Sequence, residues 1–275
     1  MYLLFDIGGT KMRLARGEDG IVGEPRIIAT PRSFTDGIAV IQKTAMEIGR
    51  GAPFHSICGG IAGVLNPKKT QLACAPHLSG WVRKPLSARL SRIFGAPAFL
   101  ENDAALAGLG EARYGAGRGY GIVMYYTVGT GVGGVRIVNG AIDRAAYGFE
   151  PGHQIIMRCS ASRRPGRAHL EEYVSGSGIA FRYQMDPSHI HEEKIWNDIA
   201  VWLAHGLYNS MVHWSPEVIV LGGGLMLHKA ISLKVVRETV HALSCIYPKV
   251  PRIKRATLGD MSGLYGALAL VERKA

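Results

Sequence analysis

Two segments about 120 residues apart are built alike, and no other feature of the chain constrains its fold so tightly. The first, MYLLFDIGGTKMRLA at residues 1–15, reads as an apolar strand from Tyr2 to Phe5, then Asp6, then a bend at Gly8-Gly9. A second strand follows from Lys11 to Arg16, with Met12 and Leu14 alternating with Arg13. The other segment runs as a strand from Gly119 to Tyr126 into the small-residue stretch Thr127 to Gly134. It resumes as a strand over Val135 to Val138, before an Asn139-Gly140 hairpin signal. In both, glycines join strand to strand. The dinucleotide fingerprint and the P-loop need a glycine loop that opens a helix, so neither pattern is present at these bends. A third cluster, Gly222-Gly223-Gly224, follows a strand from Glu217 to Leu221 and precedes a helical stretch from Met226 to Leu243. After the first hairpin, Glu18-Asp19-Gly20 is a turn signal and Val22 to Ala29 reads as one further strand.

A glycine hairpin offers exposed backbone N–H groups. At the first bend the Thr10 hydroxyl and Lys11 stand beside them, a set able to face phosphate oxygens. Asp6 would then meet a divalent cation on that phosphate. The same residues also suit a tight turn beside a strand-end aspartate. Two such hairpins and a later strand–GGG–helix point to related halves that hold one nucleotide.

The rest of the composition narrows the alternatives. At 275 residues and 47% apolar content, the chain can bury one large core or two modest ones. It has no uninterrupted apolar span of about 18 residues, and Asp6 interrupts the opening run too early for a signal peptide. Cys58, Cys74, Cys159 and Cys245 are widely spaced without a CxxC pair, which fits a reduced, cytoplasmic chain. The formal charge of +11 is spread along the sequence, with small knots at Arg163, Arg164 and Arg167 and at Lys249, Arg252, Lys254 and Arg255. Without an aromatic–basic repeat, attraction to anionic small molecules accounts for it as well as nucleic acid does. Neither a nucleic-acid nor a membrane partner is expected.

The stretches DIGGTK at 6–11, ENDA at 101–104, TVGTGVGG at 127–134, EPGH at 150–153, LEEYVSG at 170–176, VIVLGGG at 218–224 and GLYGALAL at 263–270 occur in this order. Together they resemble the ROK family of sugar kinases and related repressors, and they span nearly the whole chain. The resemblance implies an α/β protein of two ribonuclease-H-like (actin/hexokinase-like) domains with an interdomain cleft. The expected division is residues 1–105, joined by a C-terminal helix at 262–275, against residues 106–261. Repressor members carry a DNA-binding segment ahead of DIGGTK. Five residues precede Asp6 here, so none is expected.

The resemblance also distributes roles. Asp103 becomes the base that accepts the sugar hydroxyl proton, and Asn102 a sugar-binding amide. A strand-end carboxylate near a helix N-terminus is held rigidly and suits that task, although Asn102 or Asp103 would equally serve as the helix N-cap. Glu150, His153 and Glu171 become sugar contacts, since carboxylates and imidazoles complement a ring of hydroxyls. Glu172 is read as surface. Ala62-Gly63 and the His77–Trp81 loop complete the pocket, with His77 and Ser79 replacing residues more usual in the family. Nucleotide contacts fall to Asp6, Gly8, Gly9, Thr10, Lys11, Thr127, Gly129, Thr130, Gly131, Gly222, Gly223 and Gly224, with Asp6 also the Mg2+ ligand. Many members hold a structural zinc with the EPGH-type histidine and a following Cys-rich run. Here that run reads CSASRRPGRAHLEE. His169 takes the last ligand position, Ser162 and Arg164 occupy two others, and Cys159 is three residues early, so no closed zinc site is expected.

The expected activity is that of an ATP- and Mg2+-dependent hexose kinase acting on the primary (6-) hydroxyl, glucose first. An N-acetylhexosamine or fructose kinase, a polyphosphate-dependent glucokinase, and a non-catalytic sugar-sensing ROK protein are the alternatives. A cytoplasmic homodimer is the expected form. Ile195, Trp196, Ile199, Trp202, Leu203, Leu207 and Met211 recur at helical spacing between His191 and His213, as scaffold.

Overall fold

The computed structural model describes residues 1–157, 168–228 and 230–274. Its first hairpin pairs β1 (Tyr2–Ile7) antiparallel with β2 (Lys11–Glu18), Asp6 opposite Arg13. Strands β3 (Ile21–Val22) and β4 (Arg26–Ala29) both pair with β2. The single strand expected over 22–29 is thus two short ones. Gly23 N–H turns back to Arg16 O at 2.8 Å, and Pro25 has no N–H to extend a ladder. Helix α1 (Phe34–Gly49) starts where the Ser33 hydroxyl accepts Asp36 N–H and stops at Arg50 in left-handed backbone. Strand β5 (Ser56–Ile61) is buried throughout. The hairpin β6 (Val64–Leu65) and β7 (Leu72–Cys74), helix α2 (Leu86–Phe94), strand β8 (Ala98–Asn102) and helix α3 (Asp103–Tyr114) follow.

The construction then repeats. Strand β9 (Ile122–Val128) pairs antiparallel with β10 (Val132–Val138), and β11 (Ala141–Ile142) closes on β10 through Asn139 and Gly140, both at positive φ. The bend is only residues 129–131, because Gly133 and Gly134 belong to the β10 ladder. Short α4 (Leu170–Val174), α5 (Gly176–Tyr183) and long α6 (Glu193–Trp214) come next, then strand β12 (Val218–Gly222). The helix expected over 226–243 is divided into α7 (Gly224–Leu227) and α8 (Leu233–Leu243), because the Ser232 hydroxyl accepts Val235 N–H and starts a helix afresh. Strand β13 (Arg252–Arg255) and helix α9 (Ser262–Glu272) end the fold.

The two main sheets have one topology. Their orders are β3-β2-β1-β5-β8, with β4 also on β2, and β11-β10-β9-β12-β13. Each has an antiparallel hairpin on one side of a central strand and two parallel strands on the other. The chain forms two compact units, residues 1–114 with 144–148 and 260–275, and residues 115–143 with 149–259. Residues 106–114 therefore lie in the first unit, not the second. The reason is the crossing of α3 on α9: a Cβ on Gly266 would stand 1.8 Å from Leu106 O, and one on Gly110 2.2 Å from Ser262 O. Only glycine permits backbones so close. The first core gathers Leu3, Phe5, Ile41, Ile57 and Trp81. The second gathers Met124, Tyr126, Leu170, Leu203 and Ile219. No helix among the described residues is long and apolar enough to cross a membrane.

Candidate active site

Strands β1, β5 and β8 run parallel, and their carboxyl ends bring the acids of the first unit together. Asp6 pairs in register with Gly60, and Gly60 with Glu101. A Cβ on Gly60 would stand 3.1 Å from Asp103 Cα and 3.5 Å from Asp6 Oδ1, so both carboxylate residues flank this bare position. The crevice beyond the carboxyl ends of parallel strands is where open α/β sheets bind ligands. Burial, and next the neighbouring Asp103, push the Asp6 carboxyl up to about 7, while Arg13 pulls it down. Burial also raises Asp103, against the backbone N–H groups of Ala104 and of Asp103 itself.

Which residue caps α3 is resolved by geometry. Asn102 Oδ1 accepts Ala105 N–H at 3.0 Å, and Asn102 Nδ2 donates to Gly63 O at 3.1 Å. Asn102 is the cap and Asp103 is not needed for that purpose. Gly63 has φ +125, and a Cβ there would strike Cys74 O at 2.6 Å. Ala62 N–H donates to Ile7 O at 2.9 Å, carrying β5 past the end of β1.

The first bend is braced from two sides. Gly8 N–H closes it on Lys11 O at 2.9 Å, the Thr30 hydroxyl donates to Gly8 O at 2.8 Å, and Thr30 N–H donates to Thr10 O at 2.9 Å. A Cβ on Gly9 would meet His77 Cβ at 2.6 Å. Thr10 and Lys11 stay exposed at the tip. Of the loop expected to complete the sugar pocket, Trp81 is instead core: it is buried against Phe34 and donates Nε1–H to Pro31 O at 2.9 Å.

In the second unit, the bend closes through Gly129 N–H to Gly131 O at 3.0 Å. Thr127 lies between Gly133 of β10 and Gly222 of β12. Gly223 has φ +85, and its Cβ would strike the Val128 backbone at 2.4 Å. A Cβ on Gly129 would reach Gly224 N at 3.8 Å, so hairpin and GGG turn adjoin through glycine backbone, with Thr130 exposed beside them. Glu171, on α4, accepts Val132 N–H on Oε2 at 2.7 Å. Glu172 is half-buried rather than surface. Glu150 leads into the turn Pro151–His153, where His153 is exposed and its Nδ1 lies 3.4 Å from Nδ1 of His169.

Three supports were not singled out in the sequence. Arg13 stands 3.8 Å from Asp6 and 2.7 Å from Asp260, 247 residues away along the chain. Lys69 pairs with buried Glu101. Gln154 Nε2 donates to Tyr126 OH at 3.1 Å and to Pro151 O at 2.8 Å, while its Oε1 accepts Asn209 Nδ2–H at 3.2 Å. Only the position of Gln154, directly after EPGH, gave a signal that it holds that turn.

A carboxylate and the oxygens of a bound phosphate are donors that Mg2+ favours, and Asp6, a half-buried acid beside the first bend, fits that chemistry. Among the described residues no group of three or more His, Cys, Asp or Glu side chains could hold a metal ion. Cys159, Ser162 and Arg164, on which the zinc expectation turned, lie outside the described residues.

Proteins of known structure share the architecture. The ROK hexokinase from Thermus thermophilus matches with a TM-score of 0.85 and 26% identity, over 99% of each chain. A ROK family glucokinase from Streptomyces griseus, solved with glucose and AMPPNP, matches with a TM-score of 0.80. At 24% identity, over 98% of this chain and 99% of that one, it supports the fold alone. In sequence, the N-acetyl-D-glucosamine kinase of Escherichia coli O127:H6 is 30% identical over 98% of this chain and 99% of its own length. This likeness over the full length, on the actin/hexokinase-like fold, makes the protein a phosphotransferase of the sugar-kinase class. It belongs to the ROK family, whose model matches residues 2–274.

Proposed function

We propose that the protein transfers the terminal phosphoryl group of ATP to the primary hydroxyl of a free hexose, with glucose the preferred acceptor. The observation that carries this reading is the division of labour between Asn102 and Asp103. Asn102 caps α3 at Ala105, so the Asp103 carboxylate, held by the N–H groups of Ala104 and Asp103, can serve chemistry at the end of β8. In the reaction the sugar oxygen attacks phosphorus, the bond to the bridging oxygen of ADP breaks, and the hydroxyl proton passes to Asp103. Mg2+ would supply neutralising charge for the phosphates, with Asp6 as its protein ligand. Glu150, His153, Glu171 and Asn102 orient the sugar, with Ala62 and Gly63 as backbone neighbours. The hairpin tips Gly8–Lys11 and Gly129–Gly131, with Thr127 and Gly222–Gly224, receive the nucleotide. The protein acts as a cytoplasmic homodimer, as the family resemblance implies.

Phosphorylation of N-acetylglucosamine is the second reading, favoured by the full-length likeness to the Escherichia coli kinase. A coupled assay with glucose, N-acetylglucosamine, mannose and fructose, each with ATP and then polyphosphate, separates the readings. Glucose with ATP and Mg2+ should give the highest kcat/KM. A preference for the acetylated sugar replaces glucose, and absence of turnover with every pair removes the kinase reading.

A further inference from the structure

Glu171 meets the second hairpin in a way that sugar recognition does not require. Its Oε2 accepts the amide proton of Val132, the first residue of β10 after the bend, at 2.7 Å. A Cβ on Gly131 would stand 2.6 Å from the same oxygen, so the bend is shaped around this carboxylate. The following residues extend the grip. Gly176 N–H donates to Gly129 O at 2.7 Å and Ser177 N–H to Thr130 O at 3.2 Å, so two of the three bend residues are held from the α4–α5 segment. The Ser175 hydroxyl accepts Gly178 N–H and fixes the junction of the two helices. On its other side α4 is tied to the EPGH turn, since Leu170 N–H donates to Gln154 O at 3.0 Å.

We propose that Glu171 is a positioning residue for the phosphate hairpin as well as a sugar contact, and that this one carboxylate couples acceptor binding to donor binding. The inference rests on the kinase reading above. With Oε2 committed to Val132, Oε1 remains for a sugar hydroxyl. A sugar that fixes the carboxylate therefore fixes the bend, and a nucleotide that fixes the bend presents the carboxylate to the sugar. Such coupling is reciprocal in the binding free energies.

Charge alone makes the opposite forecast, which gives the test its force. Removing a carboxylate beside a site for a polyanion should tighten nucleotide binding; loss of a positioning contact should weaken it. Calorimetric titration of Mg·AMPPNP into the parent and Glu171→Ala, with no sugar present, should show the variant binding about tenfold more weakly. Equal or tighter binding overturns the proposal. With saturating glucose or N-acetylglucosamine, the parent should gain about fivefold or more in AMPPNP affinity, and the variant should gain none. Gly131→Ala is the second arm and carries the test if Glu171→Ala does not fold. Its added Cβ presses from the hairpin onto Glu171 Oε2, so it should weaken sugar binding measured without nucleotide, and unchanged sugar affinity overturns the coupling. A parent that phosphorylates no hexose defeats the kinase reading instead, and the sugar-free titration still decides the role of Glu171.

Discussion

The two sheets share strand order and hairpin placement, yet they present opposite chemistry at corresponding positions. In the first, the residue one before the end of β1 is Asp6, its parallel neighbour is Gly60, and Glu101 and Asp103 follow at the end of β8. In the second, the matching residue of β9 is Thr127 beside Gly222. At these matched strand positions the first sheet carries acids and the second a hydroxyl beside bare backbone. A carboxylate is costly beside a polyanion unless a cation, a proton or a committed donor intervenes; the acid at the second bend, Glu171, is bound through Oε2 to Val132 N–H.

The largest effect expected from this contrast is at Asp103. Asp103→Asn should lower kcat by about 10²–10⁴, or roughly 3–5.5 kcal/mol at the transition state. The melting temperature should not fall, because Asn102 provides the α3 cap and the substitution removes a carboxyl that burial disfavours in its charged form. Steady-state kinetics with calorimetric binding of both ligands checks this, and near-parental turnover would return Asp103 to a structural role.

Next comes Asp6, where the effect is on stability. The folded carboxyl titrates near 7 against an ordinary 3.8. A folded pKa above the unfolded one gives stability that is present below about pH 4 and lost as pH rises through 7. In metal-free protein, Asp6→Asn should therefore match the parent near pH 4 and exceed it by roughly 2–4 kcal/mol at pH 8. Urea unfolding at the two pH values is the measurement. A difference that does not grow with pH would show that Asp6 is not strained by burial.

The smallest expected effect compares the hairpins themselves. Gly9→Ala meets His77 Cβ at 2.6 Å and should cost about 1–3 kcal/mol. Gly129→Ala meets only Gly224 N at 3.8 Å and should stay within about 0.5 kcal/mol of the parent. Equal losses in denaturant titrations would mean that the first bend is no more tightly braced than the second.

Much of this was legible in the sequence, for identifiable reasons. The β1–β2 and β9–β10 hairpins announce themselves by apolar runs broken at glycine, a local signal. The cap of α3 was not decided, because Asn and Asp cap equally well and only the end of β8 selects between them. The division of residues 22–29 depends on Gly23 reaching Arg16 across the hairpin. Arg13 joining Asp6 to Asp260 was hidden because no local pattern links residues 247 apart. The position of Trp81 was similarly set at a distance, by Pro31 and by the bare face of Gly37.

The return of α9 to the first unit sets the order in which a ribosome can deliver a working protein. Residues 1–114 emerge first, but Gly263, which packs on Asp6, and Asp260, which holds Arg13, are among the last sixteen. At about 5–20 residues per second, roughly 7–30 s of translation separate the exit of Tyr114 from that of Asp260. Throughout that interval Leu106 and Leu109 of α3, fully buried in the finished fold, have no α9 to cover them. The second unit, by contrast, is complete on the ribosome before the first, although its synthesis begins later. A nascent chain halted before residue 260 would lack both Asp260 on Arg13 and Gly263 against Asp6.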